Sequence, residues 1–298
     1  MAVQPRDLGA ESAVILTAPP PEPATSRWAS FGRSLEVWGP AGMLILIVFL
    51  CYLGPYVFSV PSPINGSIID ANLGMGSPGH LFGTDPVGND ILSRLMYGGR
   101  VSIEVGLGTT AIGMGVGGLV GIIAAYSGGL LETVIMRILD VLIAFPSLVL
   151  TLAVAEALGP GELHVIYALA FFSVPAFARL ARAQALRLRE LDFVLAARLS
   201  GNKSMKTIVG HIVPNVAPQL LTFSCLGISV VILIEAALSF LGLGVRPPAP
   251  SWGDMISQGQ QYLATNPNLV LVPSICLFVT AASLNLLGDG LRARWSSL

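Results

Sequence analysis

Apolar residues run through this chain in long uncharged blocks rather than in alternation. Val37 to Phe58 carries no charge, nor does Val105 to Leu131, nor Leu269 to Leu287; in Thr207 to Ile234 the only ionisable side chain is His211. Two shorter blocks complete the set, Val141 to Ala155 between Asp140 and Glu156, and Leu163 to Ala178 between Glu162 and Arg179. A helix needs roughly 20 mostly apolar residues to cross a bilayer core, fewer where flanking charges reach back to the interface. The pattern predicts an all-α polytopic membrane protein with six transmembrane helices.

The segments between the blocks differ in character. Residues 1–34 hold Pro5, Pro19, Pro20, Pro21 and Pro23 among Ala, Ser and scattered charges, which predicts a disordered tail. No cleavage pattern precedes the first apolar block, so the start of the chain does not read as a signal peptide. Residues 35–298 are then the membrane domain. About 59–100 is a Pro- and Gly-rich connection, in which Asn89 or Asp90 is suited to cap a short helix bearing Ile91, Leu92, Leu95 and Met96.

Arg and Lys fix the expected orientation. With six spans both termini share a side. If that side is the cytoplasm, it holds Arg6, Arg27, Arg33, Arg137, Arg179, Arg182, Arg187, Arg189, Arg198, Lys203, Lys206, Arg292 and Arg294. The other side keeps Arg94, Arg100 and Arg246, a ratio of 13 to 3. The 59–100 and 243–268 loops then lie outside, and about 184–215 is the large cytoplasmic connection. Arg179 to Arg189 recur at helical spacing, so the fourth span continues as a helix past the membrane. Leu191 to Leu199 is rich in helix formers, Gly201-Asn202 breaks it, and Ser204 to His211 reads as a short helix ended by Pro214.

Composition agrees. Of 298 residues 53% are hydrophobic and 11% charged, with mean hydropathy +0.75, too little charge to clothe a soluble globule of this size. The net charge of −1 offers no basic field for nucleic acid. Cys51, Cys225 and Cys276 sit apart in apolar runs without metal or redox spacing. No P-loop, HExxH or GxSxG is present, and His80, His164 and His211 are scattered, so the chain carries neither a nucleotide site nor an evident catalytic set. Gly113-Met114-Gly115-Val116-Gly117-Gly118 satisfies GxGxxG but lies inside a span with no strand before it. Gly113, Gly117 and Gly121 recur every four residues, the spacing that lets helices approach closely in lipid.

Several motifs carry a family resemblance. The segment Asp192-Phe193-Val194-Leu195-Ala196-Ala197-Arg198-Leu199-Ser200-Gly201, followed by His211-Ile212-Val213-Pro214-Asn215, resembles the "EAA" loop of binding-protein-dependent importer permeases. Gly83-Thr84-Asp85, Asn89-Asp90-Ile91-Leu92-Ser93-Arg94 and Gly99-Arg100-Val101-Ser102 resemble the signature ahead of the second span in peptide permeases, with Asn89 where Arg is usual. Leu238-Ser239-Phe240-Leu241-Gly242-Leu243-Gly244, Pro250-Ser251-Trp252-Gly253 and Asn285-Leu286-Leu287-Gly288-Asp289-Gly290-Leu291-Arg292 are similar to the C-type subunit of dipeptide and oligopeptide importers. The likeness spans 37–298.

The resemblance implies a type I ABC importer permease fold in a bacterial inner membrane. It implies a non-catalytic subunit forming half of a pathway for di- or oligopeptides, with nickel and heme as related cargoes. It also implies a homologous B-type permease, an extracytoplasmic binding protein, and two ATPase subunits that bind ATP and Mg; this chain itself needs no cofactor. The coupling residues would be Asp192, Leu195, Ala196, Ala197, Arg198, Gly201, His211 and Pro214. Leu195 stands where the motif has an acid, a role left to Asp192 or Glu190.

Ionisable groups at membrane depth normally face a partner or water. Glu235, about 20 residues after Pro214, falls near the outer end of the fifth span, and Asp140 near the inner end of the third, one turn from Arg137. Both are candidates for the translocation path, as well as for structural pairing. Glu104 lies close to Arg100 at the outer face. The rival function is an ion-coupled secondary transporter without ATPases, which would carry more mid-span charge and an inverted repeat; a membrane-embedded enzyme is the third.

Overall fold

The computed structural model describes residues 27–159, 161–200, 204–245 and 248–295, the side chains of 27–36 and 198 excepted. Nine helices organise the description: α1 (Arg27–Tyr52), α2 (Ile91–Ser127), α3 (Gly129–Ile143), α4 (Ser147–Leu158), α5 (Glu162–Arg189), α6 (Asp192–Leu199), α7 (Ser204–Phe240), α8 (Trp252–Gly259) and α9 (Asn268–Trp295). Helical turns at Gly54–Val57, Ile68–Asp70 and Gln260–Tyr262 join them. Only isolated β-bridges occur among the described residues.

The long apolar blocks become long helices. Among the described residues α2, α5, α7 and α9 are each long and apolar enough to cross a membrane, and the α3–α4 pair adds a fifth candidate. Val37–Tyr52 of α1 is a shorter apolar helix. The run Val141–Ala155 read as one straight span, yet α3 and α4 meet at 86°. Pro146 explains the break: it lacks the N–H that would continue the helix, and it pushes Phe145 away from helical geometry.

Three other boundaries differ from the sequence reading. α1 is described from Arg27, inside the stretch that composition gave to the tail; residues 1–26 lie outside the described residues. α2 begins at Ile91, inside the stretch read as outer loop, and it is not a short surface helix but the first turns of a long one. Asp90 is its cap, with Oδ1 accepting from the amides of Leu92 (3.0 Å) and Ser93 (3.3 Å). α7 does not stop at Pro214. Ile208–Ile212 widen into a π turn just before it, which spares the helix an amide proton that proline cannot give, and the helix continues to Phe240.

The glycine stripe is a packing seam. A methyl group added at Gly117 would strike the carbonyl of Val174, one at Gly121 the carbonyl of Ala178, and one at Gly113 the hydroxyl of Ser173, all on α5. Glycine at these three positions lets α2 lie directly on the α5 backbone. Towards the basic end of the bundle, Ile122, Phe177, Ala181, Ile212 and Leu220 close a buried cluster of α2, α5 and α7. At the opposite end Cys51, Ile91, Leu95, Ile103, Trp252 and Leu269 form another. Trp252 is 1% exposed, and its indole donates to the Leu95 carbonyl (2.9 Å). Side chains such as Ile45 and Phe278 point outward, as a lipid-facing surface requires.

Candidate functional site

The candidate coupling segment is built as a helix–break–helix. α5 runs on to Arg189, the chain turns at Glu190 and Leu191, and α6 carries Asp192 in its first turn, where a carboxylate complements the helix dipole. Val194 (0% exposed) and Ala197 (9%) face inward and hold α6 to the bundle. Four-residue spacing puts Leu191, Leu195 and Leu199 together on the opposite face, at 47, 51 and 81% exposure. Asp192 and Ala196 are exposed as well. Gly201 and the Arg198 side chain lie outside the described residues.

His211 sits in the π turn of α7, its ring centroid 6.3 Å from that of Phe193 on α6, while Asn215 donates to the His211 carbonyl (2.6 Å). Two sequence candidates on successive helices, His211 and the Asp192–Leu199 helix, are thereby brought together. Met205 and Val209, one turn apart at the start of α7, are exposed too (66 and 59%). The apolar character of this end was missed in the sequence, although the 191/195/199 spacing was there to be read.

Charges at the same end tie α3 to α5. Asp140 pairs with Arg179 (2.6 Å), not with Arg137 one turn away on its own helix, and Glu132 pairs with Arg182 (2.5 Å). Helix packing overrides sequence proximity here, because α5 presents its arginines to the acidic face of α3. Asp140 is 45% exposed. Arg189 donates to the Ala125 carbonyl at the end of α2 (2.8 Å).

Glu235 is fully buried within α7. Ser102 of α2 donates to its Oε2 (3.0 Å) and Ser239 to its Oε1 (2.7 Å). Glu104 meets Tyr52 rather than Arg100: the phenol donates to Oε1 (2.8 Å). Arg100 instead donates to the carbonyls of Cys51 and Tyr52, and lies over the Tyr97 ring at 4.4 Å.

The motif ahead of α2 folds into a buried polar knot. Asp85 accepts from the amides of Val87 and Asn89 and from the Asn89 side chain, which in turn accepts from the Gly66 amide. Arg94 joins Asp85 (2.7 Å) to Gln258 (3.0 Å) and lies 3.5 Å from Asp254 on α8. Burial pushes the Asp254 carboxyl above its ordinary range, with Arg94 and the Gln258 amide pulling it back. Asn89, the departure from the usual Arg, thus anchors the loop by hydrogen bonds.

These elements have counterparts in known proteins. Residues 117–297 match the family described as binding-protein-dependent transport system inner membrane component. The chain belongs to this family. Several relatives share most of their length with it. The glutathione transport system permease protein GsiD of Pectobacterium atrosepticum is 35% identical over 89% of this chain and 88% of that protein. The dipeptide transport system permease protein DppC of Alkalihalophilus pseudofirmus is 36% identical over 92% of each. Among solved structures, a chain of the MetNI methionine ABC transporter in an inward-facing form aligns with TM-score 0.55 at 18% identity, over 67% of this chain and 95% of that one. That likeness is one of fold, the type I ABC importer permease fold. As a member of this transport family the protein is a membrane-embedded permease component, and its long helices α2, α5, α7 and α9 form the frame on which α6 is mounted.

Proposed function

We propose that this chain is one of two permease subunits of an ATP-driven importer of di- or oligopeptides, and that α6 docks on an ATPase subunit. The observation that carries the docking is the exposed leucine face of α6, on the side away from Val194 and Ala197, which pack the helix on the bundle. A helix buried on one side by two small contacts and bare on the other is poised to meet a partner. Relatives named for dipeptides and for glutathione, itself a small peptide, support the cargo class.

In this reading the basic ends of α5 and α9 face the cytoplasm together with both termini, a placement supported by the 13 to 3 distribution of Arg and Lys. A homologous B-type permease completes the pathway, and an extracytoplasmic binding protein delivers the cargo. Two ATPases bind ATP and Mg and close on each other, and α6 moves with the one it touches. The long rigid helices carry that motion to the far side of the membrane. The chain performs no covalent chemistry itself. Glu235 acts on cargo only if the paired subunits open the packing around it, and half-exposed Asp140 only if its pairing with Arg179 is released.

The test is reconstitution of the whole complex in liposomes. Peptide uptake should require ATP, the ATPase subunits and the binding protein. Uptake by this chain alone, driven by an ion gradient, would sink the proposal; uptake of nickel or heme instead of peptides would sink the cargo assignment alone.

A further inference from the structure

A cavity of about 420 Å³ opens between α5, α7 and α9 at the basic end of the bundle, and no described residue of α6 lines it. Its rim carries Arg187 on α5 and Arg292 on α9, with Trp295 beside them. Among the described residues neither arginine is in a salt bridge and no carboxylate lines the cavity. Two guanidiniums facing one space without an anion between them repel each other, and a phosphate or carboxylate relieves that.

Polarity changes with depth in the same sense on two helices. Leu180 lies seven residues before Arg187 on α5, and Leu226 seven after Gln219 on α7, each about 10 Å along a helix. Both displacements lead away from the charged rim into apolar surface, with Phe223 between. The Thr222 hydroxyl on this wall already donates to the Pro218 carbonyl (3.1 Å), so it offers no donor to a guest. A peptide threading this space would leave its amides unpaired at the deep end. An anionic head with an acyl tail is satisfied along its whole length. Trp295 at the rim matches the aromatic belt of a membrane interface.

We infer that this cavity binds one anionic phospholipid, its phosphate between Arg187 and Arg292 and an acyl chain along Leu180, Phe223 and Leu226. The orientation proposed above decides only the leaflet, the cytoplasmic one; the binding itself does not depend on cargo or ATPase.

The test uses the full purified chain, delipidated in detergent, with bound lipid counted by native mass spectrometry. Phosphatidylglycerol should be retained over phosphatidylcholine of the same acyl chains. The double variant Arg187→Gln/Arg292→Gln should lose about tenfold or more in retention, and Arg187→Lys/Arg292→Lys should lose far less. Arg179→Gln, on the same side but paired with Asp140, should retain as wild type does. Equal retention of the two lipids by the wild-type chain overturns the inference without any variant. Equal retention by the Gln pair and wild type also overturns it, and so does displacement of the lipid by inorganic phosphate alone or by a dipeptide. The last outcome would assign the cavity to the cargo route.

Discussion

Arg94 and Asp85 form a buried ion pair, Nη1 to Oδ2 at 2.7 Å, each side chain 8% exposed. Through it the first turn of α2 is tied to the loop before it, and through Gln258 and Asp254 to α8. The segment that resembles the peptide-permease signature is, in this chain, a structural knot.

Removing one side of that knot leaves a charge buried without its main partner. Asp85→Ala should cost about 3–5 kcal/mol, read as a lowered melting temperature in detergent. Arg94→Lys should not rescue the fold, because one ammonium cannot span Asp85 and Gln258 as the guanidinium fork does. An unchanged melting temperature in both variants would remove the pair's role.

The seam between α2 and α5 separates its glycines sharply. Gly117→Ala meets the Val174 carbonyl, whereas a methyl group at Gly115 has nothing within 4 Å. The first should destabilise by about 1–3 kcal/mol and the second should be neutral or slightly favourable. Equal effects on thermal stability at both positions would contradict the seam.

Leu195 and Val194 are neighbours with opposite duties. Leu195→Arg should leave folding intact and reduce recovery of the ATPase subunits with the complex by about tenfold. Val194→Ala should instead loosen α6 itself, seen as faster amide exchange over 192–199. Full ATPase recovery with Leu195→Arg would detach the leucine face from docking.

Glu235 provides the acceptors for two buried hydroxyls. Glu235→Gln keeps an acceptor and should fold normally, while Glu235→Ala strands Ser102 and Ser239 and opens a cavity, costing about 2–4 kcal/mol. Peptide uptake that survives Glu235→Gln unchanged argues for a structural carboxylate and against a path-lining one.

Asp254 lies outside the long spans and should leave a pH signature. Its folded carboxyl holds a proton more tightly than the ordinary value of 3.8, chiefly because it is buried. The folded state therefore binds more protons, so stability falls as pH rises from 3.8 through the raised value. Asp254→Asn should flatten that slope in melting curves taken across mildly acidic pH; an unaltered slope would assign it to another group.

Much of this protein was legible in one dimension. Uncharged runs too long for a soluble core required membrane helices, because a backbone in lipid must satisfy its own hydrogen bonds. Glycines every four residues foretold the α2–α5 seam, since only the absence of a side chain permits that approach. The helix α6 and its junction with α7, which the proposed docking rests on, were singled out from Ala196-Ala197 and the His211-Pro214 spacing, together with family resemblance.

Tertiary structure decided what local spacing leaves open. Asp140 chose Arg179 over Arg137 because facing helices bring opposite charges closer than a single turn does. Pro214 failed to end a helix because the π turn before it absorbed the missing donor. Which face of α6 is bare, and which arginines share a cavity, depend on how helices far apart in the chain pack. The sequence alone determined that this chain lives in a membrane as a bundle of helices. Only packing determined which of its polar groups are spent inside the bundle and which remain to meet a partner, because pairing requires contact and contact is set in three dimensions.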